Sequence, residues 1–95
     1  MRVVWTRPAL ADLDENQDYV AKDSPAAAYR LAIELHDQAM RLPGDTPMAG
    51  RSGRVHGTRE LVLADLPYIV AYRVTEKVEI LAVIHSAREW PDDFR

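Results

Sequence analysis

The sequence predicts an α+β fold in the order β-α-α-β-β-β, with a helical hairpin lying on one face of a small sheet. Three observations carry this prediction. Apolar residues recur at helical spacing in two successive stretches between Leu10 and Leu42. From Gly57 onward, three runs rich in Val, Ile, Leu and Tyr alternate or stay apolar and are joined by short turns, which is the pattern of an antiparallel meander. All four glycines, with Pro43 and Pro47, separate the helical half from the strand half.

Each element has its own signals. Arg2-Val3-Val4-Trp5 reads as a short strand, Thr6 can cap the helix that follows, and Pro8 fits a first turn, where its missing N–H is not needed. Leu10, Leu13, Gln17 and Val20 then form one stripe. Asp12, Asp14, Glu15 and Asp18 fall on the other faces and are expected near the N-terminal turns, which the helix dipole favours. Lys22-Asp23 ends this helix. Ser24-Pro25 starts the next as an N-cap followed by proline at the first helical position. Ala28, Leu31, Leu35, Ala39 and Leu42 make its stripe, and Pro43-Gly44 is expected to stop it. So short a joint makes an antiparallel hairpin that needs a sheet to cover its apolar side.

Residues 43–57 are read as one long loop, a length that usually signals function or mobility. For the last hairpin, a turn at Thr75-Glu76-Lys77 sets Val74 against Val78, Arg73 against Glu79, Tyr72 against Ile80 and Val70 against Ala82. This register wins because a one-residue slip would oppose Arg73 to Ile80 and Val74 to Glu79. Tyr68, Val70, Tyr72, Val74, Val78, Ile80, Ala82 and Ile84 then face the helices, while Ile69, Ala71, Arg73, Glu79, Leu81, Val83 and His85 make a half-apolar second face. That face is expected to need a partner protein to cover it.

Composition narrows the function. Residues 1–95 are expected to form one domain, in the cytoplasm, with no signal peptide and no membrane span. Without cysteine there is no disulfide, thiol nucleophile or thiolate metal site. His36, His56 and His85 have no metal-ligand spacing, no serine sits in a nucleophile elbow, and no phosphate-binding glycine fingerprint occurs, so neither a metal nor another cofactor is expected. A net charge of −3 argues against a dedicated nucleic-acid binder. Arg51, Arg54 and Arg59 nevertheless fall within nine residues with His56 among them and no acid, giving a local basic segment. His85, Arg88 and Trp90 follow the last strand. His85 can act as acid or base near neutral pH, Arg88 can hold phosphate or carboxylate, and Trp90 can anchor an interface or plug the open sheet edge. These seven residues are the candidates for target or partner binding, while Arg73 is expected to pair with Glu79.

The order of these segments resembles the RelE/ParE family, toxins of bacterial type II toxin–antitoxin modules. The likeness rests on Ser24-Pro25-Ala26-Ala27-Ala28, Leu42-Pro43, Gly57-Thr58-Arg59-Glu60-Leu61-Val62, Tyr68-Ile69-Val70-Ala71-Tyr72-Arg73-Val74, Val78-Glu79-Ile80-Leu81, and His85-Ser86-Ala87-Arg88-Glu89-Trp90-Pro91, and so covers nearly the whole chain. It implies growth inhibition, held in check by a cognate antitoxin in a hetero-oligomer. RelE-like members cut mRNA on the ribosome with a dense cationic set, and ParE-like members inhibit DNA gyrase by binding it. In the nuclease reading, Arg59, Arg73, His85 and Arg88 would form a minimal catalytic site. With only Lys22 and Lys77 as lysines and an acidic pI, the chain is better matched to the ParE-like branch. A third reading is a non-toxic interaction module with the same fold.

Overall fold

A computed structural model describes residues 1–63 and 65–87. The chain runs β1 (Val3–Trp5), α1 (Arg7–Ala21), α2 (Pro25–Asp45), β2 (Arg51–Ser52), β3 (Arg59–Val62), β4 (Tyr68–Val74) and β5 (Val78–His85). One sheet of order β1-β5-β4-β3-β2 holds all five strands. β1 lies parallel to β5 and the other pairs are antiparallel.

The helix starts follow the sequence signals. The Thr6 hydroxyl accepts from the Ala9 N–H and donates to the Ile80 carbonyl at 2.7 Å, so one side chain caps α1 and fastens it to β5. Ser24 caps α2 through the Ala27 N–H at 3.2 Å. The buried stripe of α1 differs from the expected one. Ala9 and Asn16 are buried and Leu13 packs on the core, whereas Leu10 is 44% exposed. The acids do not crowd the first turn either. Asp12 instead faces the sheet, and its carboxylate accepts the Val83 N–H at 2.9 Å, on a stretch of β5 that has no β1 residue beside it. Asn16 donates to the Asp12 carbonyl and accepts from the Tyr68 hydroxyl, which accounts for a buried amide on this helix.

On α2, Ala28, Leu35 and Ala39 are buried, and Leu31 and Leu42 pack beside them, as the spacing predicts. The helix does not stop at Pro43-Gly44, however, but continues to Asp45. Pro43 sits in the last turn, where the missing N–H costs a single helical bond. Tertiary contacts hold that turn: Pro43 is fully buried, and the Gly44 carbonyl accepts from the N-terminal ammonium at 2.9 Å.

The last hairpin begins in the expected register, with Val74 against Val78, Arg73 against Glu79 and Tyr72 against Ile80. A bulge between Ala71 and Tyr72 then shifts it, so that Val70 opposes Val83 rather than Ala82. An extra residue reverses the alternation beyond it. Val83 therefore joins Tyr68, Val70, Tyr72, Val78 and Ile80 in the main core, and Ala82 and Ile84 join Ala71 on the opposite face. His85 likewise moves to the Tyr68 side instead of the mixed face. The opposite face also corrects an expectation: Ile69, Ala71, Ala82 and Ile84 are buried within the chain itself and need no partner to cover them.

Candidate functional site

The basic segment lies on a built loop that includes a strand. β2 pairs with β3 in the register Arg51 to Glu60 and Ser52 to Arg59, so part of the expected 43–57 loop is the outer strand of the sheet. Close approach explains one glycine here and backbone conformation another. A Cβ on Gly50 would lie 2.6 Å from the Tyr72 hydroxyl oxygen and 2.9 Å from the Glu60 carbonyl, and Gly57 has φ +80°, a conformation that suits glycine. The fully buried Tyr72 closes the entry of the loop. Its hydroxyl donates to the Pro47 carbonyl at 2.7 Å and accepts from the Gly50 N–H at 2.9 Å. Arg59 donates to the Gly50 carbonyl at 2.7 Å.

At the centre is Glu60, whose side chain is 1% exposed. One carboxylate oxygen lies 3.3 Å from Arg51 Nη2 and 3.8 Å from Arg54 Nε, and the other accepts the Arg54 backbone N–H at 2.6 Å. An ion this deep is tolerated only when its charge and lone pairs are matched. The guanidinium groups supply that match, and the two arginine side chains remain more than half exposed.

The remaining candidates are spread out. Strand pairing sets Arg51 and Glu60 in a row with Ala71 and Ala82, and Ser52 and Arg59 in a row with Tyr72 and Ile80 on the other side of the sheet. Arg73, adjacent to Tyr72, falls on the Glu60 side and pairs with Glu79 at 3.1 Å. The hydrogen bond from Arg73, with the charge of its guanidinium, holds the Glu79 carboxyl below its ordinary value. His85 packs edge-on against Tyr68 with ring centres 5.3 Å apart, and its Nδ1 accepts the Ala87 N–H. Its partner Tyr68 lies four residues along β4 from Tyr72, the partner of Arg59. At about 3.3 Å per residue this is roughly 13 Å. Arg59, Arg73 and His85 therefore do not share one centre. His56 is exposed on the loop, and Arg88 and Trp90 lie outside the described residues. Among the described residues no three His, Cys, Asp or Glu side chains gather as a metal site.

A second feature is a groove of about 620 Å³ on the outer side of the helical hairpin, lined by Leu13, Tyr29, Ile33, His36 and Met40 among others. Tyr29 is 65% exposed and Ile33 is 53% exposed. Trp5 buttresses one end: its ring stacks on His36 at 5.3 Å and its indole N–H donates to the Met40 sulfur.

The ParE toxin family, described as the ParE toxin of the type II toxin–antitoxin system parDE, matches residues 3–90. The chain belongs to this family. ParE membership agrees with its relatives. It is 47% identical over 90 residues to Y4kP of Sinorhizobium fredii, covering 95% of this chain and 93% of the relative. It is 41% identical over 88 residues to Toxin RelE2 of Caulobacter vibrioides, covering 92% of this chain and 97% of that protein. A solved structure, described as the chromosomal ParDE TA system from P. aeruginosa, superposes with a TM-score of 0.78 at 32% identity, covering 90% of this chain and 95% of that one.

Two parts of this ParE chain were poorly marked in its sequence. Glu60 looks like any strand-start acid, and only its pairing with Arg51 across β2–β3 shows that it is the anchor of the loop. The groove had a signal: Tyr29 and Ile33 are four residues apart and off the buried stripe of α2, which makes a second apolar face.

Proposed function

We propose that this ParE-family chain inhibits growth by binding DNA gyrase rather than by cutting RNA, and that a cognate antitoxin silences it. The observation that carries the gyrase reading is the separation of the cations. Metal-independent RNA cleavage needs several positive groups preorganised on one phosphate. Here Arg59 and Arg73 occupy opposite sides of the sheet, Arg73 is engaged by Glu79, and His85 stands beside Tyr68, four residues along β4 from the partner of Arg59. Such an arrangement supports recognition more than catalysis. The name of the Caulobacter relative favours the alternative, a RelE-like ribosome-dependent nuclease.

The antitoxin reading is supported by the ParDE assembly named for the solved relative and by the hairpin groove, whose exposed Tyr29 and Ile33 suit the apolar face of a partner helix. Ile33→Asp should weaken antitoxin binding by at least about tenfold, since burying an unpaired carboxylate in an apolar contact is strongly unfavourable. Unchanged affinity would remove the groove from the interface.

The target is tested by inducing the chain in bacteria lacking the antitoxin and pulse-labelling DNA and protein synthesis separately. Early loss of DNA synthesis, with inhibition of purified gyrase, is the expected result. Early translation arrest with cut mRNA would overturn it in favour of the nuclease, and normal growth with confirmed expression would favour the non-toxic module.

A further inference from the structure

The arginine loop is more elaborate than a connection between α2 and β3 requires. An aliphatic side chain at position 60 would fill the row beside Ala71 and Ala82 without burying a charge, and replacing buried ion pairs by apolar residues is often neutral or stabilising. The chain instead buries a carboxylate and fixes two guanidinium groups around it. Arg51 approaches Glu60 through Nη2 and Arg54 through Nε, and both arginine side chains remain more than half exposed. Across the edge of the sheet, the other side of the same loop holds a hollow of about 540 Å³ lined by Ser52, His56, Thr58 and Arg59. Donors therefore flank the outer strand β2 on both of its sides, in a segment bearing three arginines on a chain of net charge −3.

We propose that Arg51 and Arg54, positioned by Glu60, form a site for the phosphodiester backbone of a nucleic acid, which crosses the β2 edge of the sheet. Guanidinium groups match phosphate oxygens as a planar fork, and a fork already oriented by a buried partner loses less side-chain freedom on binding. A backbone with regularly spaced anions can use donors on both sides of the edge, as a single carboxylate cannot. Glu60 acts here as a positioning residue and does not touch the ligand. The site goes beyond the gyrase reading, because DNA held by gyrase and RNA held by a ribosome present the same chemistry.

The test titrates the isotope-labelled protein at low salt with a short DNA duplex, a single-stranded RNA and an acidic peptide of equal charge, following backbone and arginine Nε–H resonances by NMR. The expected result is a set of shifts centred on residues 50–59 with at least one oligonucleotide. Two phosphate contacts give a salt slope of about −1.8 for the duplex or about −1.4 for the single strand. The nucleic acid producing the larger shifts identifies the source. Shifts centred elsewhere, or an acidic peptide that matches the oligonucleotides, would overturn the proposal.

Glu60→Gln separates positioning from simple charge. The substitution removes a negative charge, so nonspecific attraction predicts tighter binding, whereas loss of positioning predicts binding at least about threefold weaker, a difference well within the range attributed to preorganisation. Tighter or equal binding would refute the role of Glu60. Should that variant fail to fold, Arg51→Lys with Arg54→Lys keeps both charges and removes both forks. Undiminished binding by that double variant would refute the site. Gyrase inhibition is measured separately, so loss of either property does not conceal the other.

Discussion

Tyr72→Phe tests how the arginine loop is held. The side chain is fully buried, and its hydroxyl joins the core to the loop, accepting from Gly50 N–H at 2.9 Å and donating to the Pro47 carbonyl at 2.7 Å. Phenylalanine keeps the ring, so the hydrophobic contribution of the site is preserved. Two hydrogen bonds are lost, each with a net worth of about 0.5–1.5 kcal/mol. Gly50 is packed so closely that an added Cβ would lie 2.9 Å from both the Tyr72 ring and the Glu60 carbonyl, which leaves little space beside it for water to replace the hydroxyl. The expected destabilisation is therefore about 2 kcal/mol. Against a total stability of roughly 5–14 kcal/mol for a chain of this size, this is a large fraction. It should lower the melting temperature by about 8–16 °C, at about 4–8 °C per kcal/mol. Urea denaturation followed by circular dichroism measures the effect, with the m-value unchanged if only the folded state is altered. A loss below about 0.5 kcal/mol, the lower bound for one such bond, would mean that the hydroxyl does not hold the loop.

Other perturbations probe the rest of the framework. Leu35→Ala, at a fully buried core position, should cost about 2–5 kcal/mol by chemical denaturation, and a smaller loss would show that α2 can collapse onto the sheet. Asp12→Ala should cost about 1–3 kcal/mol because the Val83 N–H loses its acceptor; Asp12→Asn, which retains an acceptor oxygen, should recover much of that loss, and equal losses in the two variants would discount the bond. The lowered pKa of Glu79 stabilises the fold above the ordinary carboxyl value of 4.5, and this contribution disappears as the pH falls through the depressed folded value. The stability difference between the natural chain and Arg73→Gln should thus be present near neutrality and vanish in acid; a difference independent of pH would exclude the ion pair as its cause.

The sequence by itself determined the order of the two helices and of every strand except the two-residue β2, both helix N-caps, the buried stripe of α2 and the register at the start of the last hairpin. All of these are local, set by capping hydroxyls, helical periodicity and cross-strand pairs near a tight turn. Its segment pattern also carried the family resemblance, which the match over residues 3–90 establishes as membership. Only the tertiary structure decided the parallel pairing of β1 with β5, the extension of α2 through Pro43 and the bulge that moves Val83 and His85 to the helix side. The physical reason is the same in each case. A parallel pairing closes a contact across most of the chain, a proline is kept in a helix by what packs around that last turn, and a bulge trades ladder regularity for a better-filled core. The arginine loop belongs to this second class. Periodicity assigns no pattern to residues 43–57, and their order comes from Tyr72 and Glu60, contributed by strands that follow the loop in the chain.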